Sequence, residues 1–234
     1  MNKTAEALNE QPILLRSDRE GICTLTLNRP LQYNALSSAM LSALSTMLEE
    51  IDADATIRVV IIAANGRAFC AGHDLKEMRS SEERDFHQAL FDQCGQMMLQ
   101  INRLTQPVIA QVGGIATAAG CQLVANCDLA VASDESRFAV SGINLGLFCS
   151  TPSVPLSRNL PLKQALHMLL TGDFISADNA LAYGLVNEVV SPDELEEKTL
   201  ELAQKIAAKS PHSIQLGKEM FYKQLNMDLT DAYA

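Results

Sequence analysis

Alternating apolar and polar residues in Ile22-Cys23-Thr24-Leu25-Thr26-Leu27 predict a strand, which Asn28-Arg29-Pro30 stops. From Ser37 or Ser38 the period becomes helical. Met40, Leu41, Leu44, Met47 and Leu48 share one stripe of a helix that should run to about Asp52. Val59-Val60-Ile61-Ile62-Ala63 is a continuous apolar run of strand length, the pattern of a parallel strand covered on both faces. Asn65-Gly66 then turns the chain into a loop of small residues, Phe69-Cys70-Ala71-Gly72-His73-Asp74-Leu75. A long helix is predicted over 81–104, closed by Pro107. Val108-Ile109-Ala110-Gln111-Val112 is the next strand, and it feeds a second small-residue loop, Gly113-Gly114-Ile115-Ala116-Thr117-Ala118-Ala119-Gly120-Cys121-Gln122. A short helix should start near Ala119 and end before Asn126. Leu129–Ala132 and Arg137–Val140 read as further short strands, and after Thr151 the chain reads as mainly helical. Ser191-Pro192-Asp193-Glu194 combines a capping residue with Pro at the first helical position, for a helix to about Ala208, and another helix follows Pro211. Strand and helix alternating at this spacing predict an α/β fold with largely parallel sheets.

Each small-residue loop follows a short apolar run and leads into a helix. That context aims backbone N–H groups at a developing negative charge. Two such loops converging on one oxygen suggest an acyl-transfer or enolate site that needs no metal. The second loop ends in Gln122, where such a site would use an acid.

Composition narrows the ligand class. The 234 residues suffice for one domain with a full core. A net charge of −10 argues against non-specific binding to nucleic acid or to an anionic membrane. A phosphorylated ligand therefore needs a local basic cluster. Arg67 and Lys76, flanking the first loop, are the candidates. No apolar run approaches the ~18 residues of a membrane span. The six cysteines form no CxxC pair and mostly lie in apolar runs, which implies free thiols in a reducing compartment. Met1–Glu6 reads as neither a secretory signal nor an Arg-rich transit peptide.

Taken in order, Leu27-Asn28-Arg29-Pro30 with Asn34-Ala35-Leu36, Ala68–Leu75, Gly113-Gly114 with Gly120-Cys121-Gln122-Leu123, Cys127-Asp128-Leu129 and Leu170-Thr171-Gly172-Asp173 with Gly184-Leu185-Val186-Asn187 resemble the crotonase (enoyl-CoA hydratase/isomerase) superfamily. The resemblance runs from about residue 13 to the end. It implies a crotonase-like spiral of ββα turns with a helical C-terminal region, an acyl-CoA thioester as ligand with no separate cofactor and no metal, a homotrimer or dimer of trimers, and a mitochondrial location. The expected division is an N-terminal tail over 1–12, a core over 13–190 and a C-terminal helical region over 191–234. Asp228–Ala234 read as the first turns of a helix cut short.

By motif position the two oxyanion donors would be the N–H groups of His73 and Ala119. The resemblance places phosphate contacts at Arg67 and Lys76, while the family lysine after the Arg-Pro pair is Leu31 here. The catalytic positions depart most. Of the two glutamates used by hydratases of this family, the first aligns with Gln122 and the second with Gly142; an acid used by isomerases of the fold aligns with Ser150. Gln122 can hold a water but cannot take a proton near neutral pH. One positioned acid or base contributes roughly 10²–10⁴ in rate, so the loss of both removes most hydratase turnover.

Several readings stay open on sequence. The His73 ring is either a local acid or base, or a group that only packs. Gln122 is a water-positioner or a spacer. Cys149-Ser150 reads as a loop or helix cap before a nucleophile, Asp128 as a buried structural acid, and Asp74 as support for the first loop. Function divides three ways: an acyl-CoA enzyme of fatty-acid metabolism using only the oxyanion hole, a non-catalytic acyl-CoA sensor, or an oligomeric interaction module.

Overall fold

A computed structural model describes residues 12–234. The expected tail, Pro12 apart, lies outside the described residues. Strands β1 (Leu14–Arg19) and β2 (Ile22–Leu27) form an antiparallel hairpin, and helix α1 (Ser38–Asp52) follows. Ser37 caps that helix by accepting from the Met40 N–H at 3.3 Å. Its buried stripe is Met40, Leu41, Leu44, Leu48 and Ile51, with Met47 half-buried. Then come β3 (Val59–Ala64), β4 (Ala68–Cys70), the one-turn helix α2 (Leu75–Met78), and α3 (Arg84–Arg103). The next unit is β5 (Val108–Val112), β6 (Ile115–Thr117) and α4 (Ala119–Asn126), and the third opens with β7 (Leu129–Ser133) and β8 (Arg137–Ala139).

Each of these units sends a long strand to one sheet and a short strand to another. The six-stranded sheet runs β1-β2-β3-β5-β7-β10, parallel from β2 onward, with β10 (Glu188–Val190) at its far edge. The four-stranded sheet runs β4-β6-β8-β9, where β9 is Ile175–Ser176. This is the spiral of ββα turns that the resemblance implied. The second sheet is the main departure from the sequence reading. Its strands are two or three residues long, so β4 and β6 fall inside what reads as loop. The hairpin partner β1 escapes for another reason: its half-buried to exposed, largely polar residues show no apolar face.

Helices α5 (Ser150–Asn159), α6 (Leu162–Thr171) and α7 (Ala177–Tyr183) complete the third unit. The helix expected from Ser191 starts instead as a 3₁₀ turn, Pro192–Glu194, and becomes α8 only over Leu195–Ala207. Ser191 caps no backbone group; its hydroxyl donates to the Glu194 carboxylate at 2.6 Å. Leu195 and Ala203 of α8 cover the outer face of the large sheet, against Ile22, Val59, Ile61, Ala63, Ile109 and Val131. The opposite face, with Leu25, Leu27, Val60, Ile62, Val108 and Ala110, joins the larger core. That two-sided burial explains why β3 reads as a continuous apolar run. Helices α9 (Pro211–Gln224) and α10 (Leu229–Tyr233) follow, the latter where a truncated helix was read, capped by Asp228.

Asp128 is the structural acid expected. Its carboxylate accepts from the Val108 N–H at 2.7 Å, the Lys218 ammonium at 2.7 Å and the Tyr222 hydroxyl at 2.8 Å. Lys218 also donates to the Ile101 and Gln106 carbonyls, at 3.0 and 2.9 Å. This polar cluster pins α9 to the core while leaving no charge unpaired.

The two sheets meet where backbone touches backbone. A Cβ on Gly120 would stand 2.1 Å from the Cys70 carbonyl oxygen, and one on Gly114 2.4 Å from that of Arg67. Gly120→Ala should therefore cost about 3 kcal/mol or more, because the atom in the way is main chain and cannot rotate aside. Urea denaturation of the variant beside wild type measures this; a loss within about 0.5 kcal/mol, as at an ordinary surface site, refutes the close approach.

Candidate functional site

The first loop is held from behind. Asn34, fully buried with φ of 54°, accepts from the Arg29 N–H and donates to the Asn65 and Ala68 carbonyls. Leu36 then pairs with His73 as an isolated parallel bridge. Its N–H donates to the Gly72 carbonyl at 2.8 Å, and its own carbonyl accepts from Asp74 at 3.1 Å. Strand alternation turns the N–H of His73 itself away from Leu36. Asp74 caps α2, accepting from the Lys76 and Glu77 N–H groups, and pairs with Arg29 at 3.1 Å. Burial works to raise its pKa, but the Arg29 guanidinium and the two N–H groups outweigh it and hold the carboxylate low.

The second loop leads into α4. The Gln122 N–H donates to the Ala118 carbonyl at 3.0 Å. In the planar trans peptide, the Ala119 N–H therefore points the opposite way, out of the helix N-terminus. One residue, Ala118, turns the chain from β6 into α4. It does so at φ 50° and ψ −121°, a conformation that costs a non-glycine of order 1–3 kcal/mol.

Gly72 joins the two loops. With φ of +89°, a Cβ there would lie 2.9 Å from the Ala118 Cβ and 3.1 Å from the Ala119 nitrogen. Standard bond lengths then keep the His73 and Ala119 amide nitrogens within about 7 Å of each other. Two donors each at ~3 Å from one oxygen need about 6 Å or less. The two loops read from sequence as one site are thus neighbours in space.

The third motif converges as well. The Thr117 and Ser141 hydroxyls are hydrogen-bonded at 2.8 Å, and the Ala118 N–H donates to the Ala139 carbonyl at 3.0 Å. Gly142 follows directly, in a 3₁₀ turn, Ser141–Leu145. A Cβ at Gly142 would meet the Cys149 sulfur and the Leu147 carbonyl oxygen, each at 2.7 Å. The thiol thus fills the space into which a side chain at 142 would project. Burial raises the Cys149 pKa against a small opposing pull from the Gly142 backbone, so the group stays a neutral thiol. Ser150 is exposed at the start of α5 and reaches only the Phe148 carbonyl, at 3.5 Å. Neither residue has the surroundings of a nucleophile.

Gln122 is 4% exposed, and its carbonyl oxygen Oε1 has no hydrogen-bond partner. The His73 ring stacks edge-on against Phe91 of α3 at 5.2 Å, with both nitrogens buried and unpartnered. Burial lowers its pKa, with the Leu36 backbone and Glu77 opposing more weakly. The ring packs as a neutral group. Arg67 is exposed; its guanidinium lies over the Tyr33 ring, 4.9 Å from the centroid, and donates to the Tyr33 hydroxyl. The Lys76 side chain is exposed. Phe91, Ser141 and the strained Ala118 were missed on sequence, and Cys149 was read only as a loop or helix cap. Three of them come from elements distant in the chain, and the Ala118 strain appears only in its dihedral angles. Among the described residues no group of three or more His, Cys, Asp or Glu side chains could hold a metal ion, and no helix is long and apolar enough to cross a membrane.

A model of the family described as Enoyl-CoA hydratase/isomerase matches residues 17–234. The chain is 50% identical over 216 residues to the mitochondrial enoyl-CoA hydratase domain-containing protein 3 of Rattus norvegicus, across 92% of this chain and 72% of that one. Among solved structures, an enoyl-CoA hydratase of Mycobacterium smegmatis is similar at TM-score 0.94 and 54% identity, across 95% of this chain and 87% of that one. Human enoyl coenzyme A hydratase domain-containing protein 3 is similar at TM-score 0.92 and 48% identity, across 95% and 88%. The chain belongs to the enoyl-CoA hydratase/isomerase family.

The lowered pKa of His73 gives a pH signature. Its folded value lies below the ordinary imidazole value of about 6.5. Between those two values the unfolded chain binds the extra proton. The stabilising contribution is therefore full above about 6.5 and is lost as pH falls through the folded value. His73→Phe keeps the backbone N–H and the packing on Phe91. It should flatten stability against pH between about 7 and 5 relative to wild type. Denaturant midpoints across that range decide it, and parallel curves for the two proteins refute the assignment.

Proposed function

We propose that the chain binds an acyl-CoA thioester where loops 69–75 and 117–122 meet, with the thioester oxygen held by the N–H groups of His73 and Ala119, and that it hydrates enoyl-CoA little or not at all. One observation carries this reading. Gly72 abuts the Ala118–Ala119 peptide and so brings the two loops together, Gln122 offers an unpartnered amide oxygen, and Gly142 has a thiol and a carbonyl in the space of a side chain. The family and the enoyl-CoA hydratase relatives support the ligand class. The CoA moiety comes as part of the ligand, so no separate cofactor is invoked.

The chemistry follows from what remains. An oxyanion hole polarises the thioester carbonyl and stabilises an enolate or tetrahedral oxyanion; one such donor is worth about 10²–10³ in rate. Hydration also needs a base for the water and an acid for the α-carbon. Gln122 can position a water but cannot cycle a proton. The neutral, packed His73 ring is a poor substitute. The protein is then a binder, or an enzyme of fatty-acid metabolism for a reaction in which carbonyl polarisation suffices. A mitochondrial setting agrees with the names of its relatives. Assembly as a trimer or dimer of trimers agrees with the exposed apolar residues Leu216, Met220 and Phe221 on α9 and Leu225 just after it. Arg67 and Lys76 stand on the rim of the first loop, where they would meet CoA phosphates.

Crotonyl-CoA and longer enoyl-CoA substrates test the reading, with thermal shift reporting binding. Wild type should bind and hydrate near background. Gln122→Glu should raise hydration, while Gly142→Glu alone should unfold or stay inactive because its Cβ meets main chain. Arg67→Ala and Lys76→Ala should each weaken CoA binding about tenfold. Wild-type hydration at ordinary rates of about 1–10³ per second would overturn the proposal.

A further inference from the structure

Ala118 performs a task that the oxyanion reading leaves unassigned. It is the sole connection between β6 and α4, with Thr117 ending one and Ala119 beginning the other. Its φ of 50° and ψ of −121° orient the peptide whose N–H is that of Ala119. Its own N–H is fixed on the Ala139 carbonyl at 3.0 Å and its carbonyl on the Gln122 N–H at 3.0 Å. Both ends are thus held, and the angle between them is left to this residue. Glycine takes such a conformation without cost. An alanine here adds one methyl group, and that methyl faces the Cα of Gly72, the residue just before the other donor; a Cβ on Gly72 would stand 2.9 Å from it. The strained residue of one loop therefore abuts a side-chain-free point of the other.

We infer that Ala118 is a positioning residue: its methyl group, braced against Gly72, sets the separation of the His73 and Ala119 N–H donors and so the fit of the oxyanion hole. The inference rests on the proposed thioester site and adds what tunes it. A spacer of this kind trades folding strain for a fixed aperture, since two donors aimed before the ligand arrives need no reorganisation as charge develops. Removing the methyl frees the 118–119 peptide to rotate and the two loops to close on each other. The donors then lose their common focus, although the fold loses a strained residue.

Ala118→Gly separates positioning from stability, because the two effects run in opposite directions. Crotonyl-CoA labelled with carbon-13 at the carbonyl is the probe. Polarisation by two aligned donors lowers its C=O stretching frequency in difference infrared spectra. Wild type should shift that band on binding. Ala118→Gly should hold or raise the melting temperature, reduce the band shift, and weaken binding about tenfold, less than the 10²–10³ of losing a donor outright. A variant with the wild-type band shift and affinity overturns the positioning role while leaving the thioester site standing. A wild type that binds without any band shift overturns the oxyanion reading and the role of Ala118 with it. A fall in melting temperature large enough to explain weaker binding, with the band shift retained, assigns Ala118 to packing alone and also overturns the inference.

Discussion

The structure depends on main chain lying against main chain between the first and second ββα units. Gly114 and Gly120 face the carbonyls of Arg67 and Cys70, and Gly72 faces the Ala118–Ala119 peptide. Three positions without side chains let strands of three residues each, β4 and β6, pair in parallel despite a register irregularity between Ala68 and Cys70. Such strands are too short to be stable alone. They exist because the long strands of the six-stranded sheet deliver them side by side. In turn they deliver the N-terminus of α4 beside the end of β4. The proposed donors are backbone groups beside these elements, and their placement depends on sheet geometry more than on the side chains at 73 and 119.

Electrostatic satisfaction does the remaining positioning at two levels. Asn34, Arg29 and Asp74 fasten the first loop through side-chain hydrogen bonds. Far from the loops, Asp128 gathers Val108, Lys218 and Tyr222, which ties a strand start to α9. Both carboxylates are compensated by several donors, as a low-dielectric interior requires. By contrast, the Gln122 carbonyl and the His73 ring nitrogens are buried and unmet. Unpaired polar atoms are rare in native interiors; besides these two residues on the loops that the site reading joins, Gln100 Oε1 on α3 is also unmet.

What the sequence makes legible follows the range of the physics. Ile22–Leu27, Ser38–Asp52, Val108–Val112 and Ala119–Asn126 were readable because their own residues carry the apolar period and caps that form them. The second sheet was not, since the pairing of Ala68–Cys70 with Ile115–Thr117 is made by distant partners. The same division runs through the site. His73, Ala119 and Gln122 were found from local motif and helix-start context. The packing of His73 on Phe91 and of Cys149 into the space beside Gly142 depends on α3 and on the turn before α5, which no local pattern announces.

The surroundings of Gln122 and Gly142 are unequal. At Gln122 an amide is buried with its oxygen unpartnered. At Gly142 the surroundings have closed. The Leu147 carbonyl and the Cys149 thiol both lie at 2.7 Å from where a Cβ would sit, and the Leu147 N–H returns to the Gly142 carbonyl at 3.0 Å to tighten the turn. A carboxylate at that point would need a different path for residues 142–149. Gln122 thus keeps a free acceptor in a buried space, whereas the space beside Gly142 is filled by its own turn. On the proposed reading, such a site can hold a polarised carbonyl and a water, whereas the filled space beside Gly142 leaves no room for an acid.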